Sequence, residues 1–305
     1  MPLEPFTVYT VPDNAPTKAE AMGTKQKFWF SREGEPWLFK TTRPGHGEHW
    51  AEVLAAALAE RLGLPHARYE LGRWKGGVGV VTPRLMPKEF DLVHGNELLA
   101  DLDASYPREG ARYVRTRQHT IEAVRTAIGA EDVKLPLGWA PPPGIETPCD
   151  VFAGYLLLDA WIGNTDRHHE NWALVVNLSK GERHLAPTFD HASSLGAHET
   201  DGHRTSRLES TDPGFRVEGY VQRSRARSAL YLKAGDARPL ALIEAFQAWC
   251  QNTNAGPWLE ALKSIGADEI GSLVARLPEA EASGPARAFA QAILEVNSRR
   301  ILEAP

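Results

Sequence analysis

The chain has 305 residues, a formal net charge of −5 and an isoelectric point near 6.1. Hydrophobic residues make up 42% and charged residues 24%, a globular balance that excludes a wholly disordered chain. The net acidity argues against a dedicated nucleic-acid binder, whose domains usually carry a net basic charge. The two cysteines, Cys149 and Cys250, stand in no metal-ligand spacing, which argues against a disulfide scaffold or a zinc site.

The length is about twice that of a usual single domain, which predicts one two-lobed unit or two domains. The first residues contain no basic segment followed by an apolar core, so we expect no signal peptide. The longest apolar stretch, residues 151–162, is too short to span a bilayer and contains Asp159. We therefore expect a cytoplasmic protein without stable membrane association.

The first ninety residues have mainly the pattern of β-strands. Apolar segments at 27–30 and 37–40 flank a short connection with one glycine, which predicts a hairpin. Residues 47–62 are rich in Ala, Leu and Glu and precede Gly63, as in a helix. Strands are expected again at 67–74 and 78–82. The order predicts one helix packed against an antiparallel sheet.

The remaining chain is predicted to be mainly helical. Asp150 is positioned to cap a buried helix that continues to Trp161. The segment 199–233 is rich in Ser, Thr and Arg and is predicted to be a long functional loop. Two strands are expected at 172–178 and 184–189, a Pro/Gly-rich loop at 135–148, and helices near 96–102, 120–128, 238–252, 256–265, 268–277 and 284–303.

The densest chemical signal lies in residues 163–171, followed by Asp190. An Asp five residues before an Asn, then a β-hairpin and a second Asp, is typical of a kinase catalytic site. In such a site Asp166 accepts the proton of the attacking hydroxyl, while Asn171 and Asp190 supply oxygen ligands to Mg²⁺. The Asp–Asn spacing alone is common, so the intervening hairpin and the preceding apolar helix carry the prediction.

A second signal lies in the N-terminal sheet. Lys40 ends an apolar strand, and Glu52 lies in the helix that follows. A strand lysine paired with a helix carboxylate holds the nucleotide phosphates in protein kinases. The alternative is a solvated strand end and a surface glutamate. Glu48 is a weaker alternative partner, because in the first turn it can instead interact with the helix dipole.

The expected nucleotide contacts lie on either side of the first sheet. The turn before its first good strand can hold phosphate through backbone amides and lysines, although it lacks the Gly-x-Gly-x-x-Gly pattern, and an ordinary exposed turn is the alternative. The linker after the last strand is expected to contact adenine, with Leu85 or Met86 covering the ring, or else to be a plain connection with Met86 as core filler. The candidate residues are Gly23, Thr24, Lys25, Gln26 and Lys27 in the turn, and Arg84, Leu85 and Met86 in the linker.

These motifs together resemble the HipA-like serine/threonine kinase family, over roughly residues 20–300. The matching pieces are Gly23-x-x-Gln26-Lys27, Phe39-Lys40, the helix 52–62 with Gly63-Leu64-Pro65, Asn164-x-Asp166-x-His168-x-x-Asn171, and Phe189-Asp190.

The resemblance implies an α+β, bilobal protein-kinase-like fold with an N-lobe at 1–86 and a mainly helical C-lobe at 87–305. It also implies ATP, Mg²⁺ and a protein hydroxyl as acceptor. Lys40 and His168 would then belong to the nucleotide site, Asp166 would be the base, and Asn171 and Asp190 would hold metal. A short form is expected, without the extra N-terminal subdomain of the longer toxin-type members, which places a toxin–antitoxin role in doubt.

Two rival functions fit parts of the same pattern. The loop Asp166-Arg167-His168-x-x-Asn171 also resembles that of phosphoinositide 3- and 4-kinases, although neither a membrane-facing amphipathic helix nor a polybasic cluster accompanies it. A pseudokinase is the other rival, and the joint presence of the four site residues argues against it. The segment 199–233 also contains a set of arginines that could bind a lipid headgroup, an acidic substrate or the protein's own phosphorylated loop, or could simply be solvated. These are Arg204, Arg207, Arg216, Arg223, Arg225 and Arg227.

Overall fold

The first lobe is built on a six-stranded sheet, as seen in a computed structural model that describes residues 4–19, 26–108, 116–223 and 227–304. Its strands are β1 (Val8–Thr10), β2 (Lys18–Ala19), β3 (Lys27–Arg32), β4 (Glu35–Thr41), β5 (Glu70–Trp74) and β6 (Gly77–Pro83). The spatial order is β1-β5-β6-β4-β3-β2, with β1 parallel to β5 and the other pairs antiparallel. The predicted hairpin is confirmed as β3 and β4, whose register places Lys27 opposite Lys40.

The predicted helix of this lobe is confirmed as α1 (Glu48–Arg61). It packs on β5 and β6 and also contacts helices of the second lobe, so every residue from 48 to 59 is buried. The buried residues include two carboxylates, Glu48 and Glu52. Because a buried charge is costly without partners, these side chains indicate a polar site between the lobes.

The second lobe combines a small sheet with most of the helices. Within the described ranges, its four strands are β7 (Asp91–His94), β8 (Val133–Lys134), β9 (Ala173–Asn177) and β10 (Glu182–Leu185), in the order β7-β9-β10-β8. Its helices are α2 (Gly95–Leu102), α3 (Ile121–Ile128), α4 (Pro148–Ile162), α5 (Asp201–Glu209), α6 (Val217–Gln222), α7 (Leu242–Cys250), α8 (Gly256–Ser264), α9 (Ala267–Ala275) and α10 (Gly284–Glu303). The α+β fold expected from the sequence is confirmed.

Helix α4 is the centre of this lobe. It contacts α1, α3, α7, α8 and α10, and its side chains are buried on all sides from residue 150 to 162. None of the helices in the described part of the chain has both the length and the apolar character needed to cross a membrane.

Two local predictions were wrong. The cap of α4 is Thr147, whose hydroxyl accepts from the backbone N–H of Asp150, while the Asp150 carboxylate accepts from the backbone N–H of Thr147. Asp150 therefore closes a reciprocal capping box from inside the helix. The stretch predicted as one long loop, 199–233, contains α5 and α6.

Helices α5 and α6 were not predicted because contacts with distant parts of the chain stabilise them. Helix α5 is strongly polar, and its one buried residue, Arg204, donates to the carbonyls of Gly196 and Ala197. Helix α6 has one turn and a half, and its Val217 and Val221 pack against α10. Helix α5 lacks the apolar periodicity that predicts a helix from sequence, and the apolar spacing of α6 covers only six residues, too few for a prediction.

Candidate active site

The catalytic loop is built on a buried ion pair at the end of α4. The Asp159 carboxylate accepts from Arg167 Nε and Nη2, both at 2.7 Å, and from Asn164 Nδ2 at 2.8 Å. Both charged side chains are nearly inaccessible to solvent. Burial disfavours the Arg167 charge, but the adjacent Asp159 carboxylate raises the pKa of the guanidinium. The pair therefore stays charged in the protein interior.

The same arginine also fixes the far end of the loop. Arg167 Nη1 donates to the backbone carbonyl of Asn171 at 2.8 Å. Gly163 starts the loop with a φ of 69°, a left-handed conformation that glycine adopts without steric cost. Residues 163–171 are thus closed into one rigid turn around the guanidinium, and this turn presents Asp166.

Asp166 and Asn171 contact each other across this turn. Asn171 Nδ2 donates to the backbone carbonyl of Asp166 at 2.7 Å, and Asn164 Oδ1 accepts from the backbone N–H of Asp166 at 3.2 Å. Because the amide nitrogen of Asn171 is used in this way, its amide oxygen is the atom that can face a cation. The Asp166 side chain is 33% exposed, and His168 Nε2 lies 3.9 Å from its Oδ2.

Asp190 reaches the same site from the segment after β10. Its φ of 57° is left-handed, which costs a non-glycine residue roughly 1–2 kcal/mol. The Tyr69 hydroxyl accepts from its backbone N–H at 3.3 Å, and its carboxylate lies 2.6 Å from Lys40 Nζ. Strained backbone of this kind is concentrated at functional sites, and here it aims the carboxylate at the cleft.

The predicted pairing of Lys40 with Glu52 needs correction. Lys40 pairs directly with Asp190, whereas Glu52 Oε1 accepts from the backbone N–H of His191 at 2.7 Å. Burial works against the Lys40 charge, but the nearby carboxylates of Asp190, Glu52 and Glu48 together raise the pKa of the amine. Lys40 and Glu52 therefore belong to one buried charge cluster without forming the direct pair.

The alternative partner, Glu48, has a different role. Its carboxylate accepts from the backbone N–H of Arg43 at 3.0 Å and from Arg43 Nη1 at 3.3 Å. Glu52 Oε2, in contrast, is buried and has no hydrogen-bond partner within the described ranges. A buried polar atom without a partner is costly, so this oxygen is the natural second acceptor for a cation in the cleft.

The predicted nucleotide contacts fall into three groups. Gly23, Thr24 and Lys25 lie outside the described residues. Gln26 and Lys27 lie at the start of β3, where the Gln26 carbonyl accepts from the backbone N–H of Thr41 at 3.1 Å. His168 is buried in the catalytic loop, and its Nδ1 accepts from the backbone N–H of Glu170 at 3.2 Å.

The predicted adenine segment connects the two sheets. Arg84 Nη2 donates to the Phe90 carbonyl at 3.1 Å, which fixes the linker on the second lobe. Leu85 and Met86 pack on an apolar cluster that also contacts Phe189, the neighbour of Asp190. An apolar floor therefore runs from the linker to the charged cluster, as a bound purine ring requires.

Three residues that organise the site were missed in the sequence: Asp159, Tyr69 and His191. A signal existed for Asp159, because it is a single carboxylate inside an otherwise apolar helix and a buried charge demands a partner. The Tyr69 hydroxyl accepts from the backbone of Asp190, and His191 reaches Glu52 through its backbone N–H and Thr188 through its ring, contacts that no sequence pattern reveals.

No family model and no curated protein matches this sequence. Solved structures do match its fold, among them the following two. The Helicobacter pylori proinflammatory kinase CtkA has a TM-score of 0.72 at 20% identity, covering 99% of this chain and 100% of that one. A chain of the Shewanella oneidensis MR-1 toxin–antitoxin complex of HipA, HipB and operator DNA has a TM-score of 0.56 at 12% identity, covering 97% and 69%. The chain therefore has a HipA-like protein-kinase fold, and the resemblance inferred from its motifs is confirmed at that level.

The buried ion pair can be tested by removing its carboxylate. Asp159→Ala leaves the Arg167 charge buried without a partner, so we expect the free energy of unfolding to fall by about 3–5 kcal/mol. Asp132→Ala is the matched control, because Asp132 also pairs with an arginine but at the surface, and it should cost less than about 1 kcal/mol. Urea unfolding of both variants measures the difference. Similar losses in the two would contradict the structural role of the pair.

Two buried histidines lie behind the loop in neutral form. His119 Nδ1 donates to the Ala229 carbonyl at 2.9 Å, and its Nε2 accepts from Trp172 Nε1 at 3.0 Å. His169 Nδ1 lies 2.8 Å from the Tyr106 hydroxyl. Burial lowers the pKa of His119 to about 3 and, together with nearby His168, that of His169 to about 4.

These pKa values predict a pH-dependent stability. Below pH 6.5 the unfolded chain binds protons at His119 and His169, whereas the folded chain binds them only near pH 4 at His169 and pH 3 at His119. The free energy of unfolding should therefore fall as the pH falls through this range. His119→Asn keeps a donor for Ala229 but does not titrate, and should reduce the slope by up to about 1.4 kcal/mol per pH unit. Urea midpoints at several pH values measure this slope. An unaltered slope in His119→Asn would contradict the assignment.

Proposed function

We propose that this chain is a Mg²⁺-requiring, ATP-dependent kinase that transfers the γ-phosphoryl group to a Ser or Thr hydroxyl of a protein. One observation carries the proposal: Lys40 from the first lobe pairs with Asp190 from the second, close enough to the loop of Asp166 and Asn171 that the Asp190 carboxylate helps to raise the pKa of Arg167 in that loop. Lys40 Nζ lies 2.6 Å from the Asp190 carboxylate, and Asn171 contacts the backbone of Asp166 at 2.7 Å.

The donor set fits Mg²⁺. The Asn171 amide oxygen and the Asp190 carboxylate are hard oxygen ligands. Mg²⁺ usually takes only a few such ligands from the protein, and phosphates and water complete its coordination. Asn171 and Asp190 would hold the ion, which would supply positive charge against the nucleotide phosphates. Asp190 would then turn from Lys40 toward the metal, and the unpartnered Glu52 Oε2 would become the carboxylate partner of Lys40. With Glu52 as its partner, Lys40 would stay positively charged and could bind the nucleotide phosphates.

The remaining roles follow from position. Asp166 has a partly exposed carboxylate on a rigid backbone, so it can accept the proton of an incoming hydroxyl. Leu85 and Met86 would face the adenine ring from the apolar floor of the cleft. In each of these roles the acting group is a side chain of this chain.

The direct test is incubation of the purified protein with labelled ATP and Mg²⁺, together with cell lysate and a lipid extract. We expect label on the protein itself or on a lysate protein. Asp190→Asn is the inactive control: asparagine tolerates the left-handed backbone but loses the metal-binding charge. Asp91→Asn, an exposed aspartate at the start of β7, should retain full transfer. Label only in lipid would indicate a lipid kinase, and nucleotide binding without transfer a pseudokinase.

Asp166 should matter for transfer and not for binding. In Asp166→Asn the lysine and both metal ligands remain, so the ATP dissociation constant should stay within about a few-fold of the original, while the transfer rate falls by roughly 10²–10⁴. Calorimetry with a non-hydrolysable ATP analogue, beside the transfer assay, separates the two effects. Lost binding in a folded variant would make Asp166 a nucleotide or metal ligand. Undiminished transfer would remove it from the mechanism.

A further inference from the structure

A cavity lined by arginines adjoins the catalytic loop. Its volume is about 760 Å³, and it is bounded by Gly163 and Thr165, by the segment 193–198, and by side chains between residues 220 and 239. A smaller cavity of about 260 Å³ continues from it toward α10 and shares Thr165 and Arg227. Among the described residues, no aspartate or glutamate lines either cavity.

The charges in this cavity are only partly compensated. Arg223, Arg227 and Arg238 line the larger part and Arg300 the smaller. Arg223 pairs with Glu199 at 3.0 Å. The other three have no carboxylate within 4.0 Å in the part of the chain that the structure describes.

The hydrogen bonds of these arginines leave much of their capacity unused. Arg227 Nη1 donates to the Pro239 carbonyl at 2.7 Å, and Arg300 Nη1 donates to Asn297 Oδ1 at 3.2 Å. A guanidinium has five N–H donors, arranged as a fork that matches a carboxylate or a phosphoryl group. Burial without a carboxylate partner also lowers the pKa of Arg300.

The charge distribution of the whole chain makes this cavity unusual. The net charge is −5, yet three arginines line the larger cavity, and the smaller cavity that adjoins it adds Arg300, without a carboxylate in either lining among the described residues. Like charges that line one cavity repel, and the repulsion is relieved when an anion enters between them.

The cavity lies beside the point of transfer. Thr165 directly precedes Asp166, and its backbone N–H donates to the Ser193 carbonyl at 3.4 Å, which joins the catalytic loop to the segment after Asp190. The cavity is therefore within reach of the residues that flank a hydroxyl held at Asp166, since an extended chain advances by about 3.3–3.6 Å per residue.

The lining favours a polypeptide over a lipid surface. Apart from the arginines, the larger cavity has a mainly small and polar lining, with Ser193, Ser194 and Ser228 among its residues. The smaller cavity is lined mainly by apolar residues of α4, α6, α7 and α10. The exposed large apolar side chains found in the described residues do not line either cavity. A lipid headgroup site usually needs such side chains at its rim to enter the interface, whereas a peptide needs polar partners.

We propose that this cavity binds an acidic or phosphorylated side chain of the protein acceptor, within a few residues of the Ser or Thr that receives the phosphoryl group. The inference rests on the proposed kinase function and narrows its substrate class to acidic or already phosphorylated segments. Arg238 in the larger cavity and Arg300 in the smaller cavity that continues from it are the positions that recognise the acidic segment.

Binding of short fluorescent peptides by anisotropy, without nucleotide, tests the cavity by itself. The probes are a serine peptide with flanking glutamates, the same peptide with flanking phosphoserine, and an alanine version. We expect the two anionic peptides to bind and the alanine version not to bind. Arg238→Gln and Arg300→Gln should each weaken binding by at least about tenfold, the usual effect of losing a hydrogen bond to a charged group.

The matched control is Arg299→Gln, on the same helix as Arg300 but exposed and outside both cavities. It should leave peptide binding unchanged, and thermal unfolding should confirm that all three variants are folded. Equal affinity for the anionic and alanine peptides, or equal losses in the control, would overturn the cavity proposal even if phosphoryl transfer is found. Binding only to vesicles that contain phosphoinositides would also overturn it. Anionic peptide binding without any transfer would support the cavity and refute the kinase.

Discussion

The active site depends on one buried interaction, the ion pair between Asp159 and Arg167. Either charge alone would be unstable in the interior. The two charges stabilise each other only when the loop folds back over the end of α4. The remaining guanidinium N–H then holds Asn171, so the same contact sets the path of the backbone on both sides of Asp166. The loop is rigid because its centre is an obligatory contact, and this rigidity fixes the position of Asp166.

A second group of charges lies where the lobes meet. Lys40 comes from the first sheet, Glu52 from α1 and Asp190 from the second lobe, and the amine is nearly enclosed by them. The electrostatic balance of this cluster therefore couples the two lobes. One carboxylate oxygen of this cluster, Glu52 Oε2, is buried without a hydrogen-bond partner among the described residues, so the cluster can accept a further cation beside the lysine.

The local elements of the fold could be predicted where their pattern is intrinsic to a short segment. Helix α10 and the β3–β4 hairpin follow from apolar spacing and turn residues alone. Strands such as β1 and β8 could not be predicted in this way, because each has two or three residues and exists only through pairing with a strand far along the chain. Helix α5 likewise depends on carbonyl groups that its buried Arg204 reaches.

The sequence by itself determined the chemical types in the site and their order: a strand lysine, a helix glutamate, and the Asp–Asn loop followed by Asp190. Spacing carries this information because a loop and a hairpin of given length return the chain to a known edge. Only the tertiary structure decided the partners, since Lys40 contacts Asp190 and Glu52 contacts the backbone of His191. Such contacts depend on how the elements of the two lobes are placed relative to one another, and no one-dimensional pattern specifies this placement. Packing likewise decided that the arginines line two adjoining cavities.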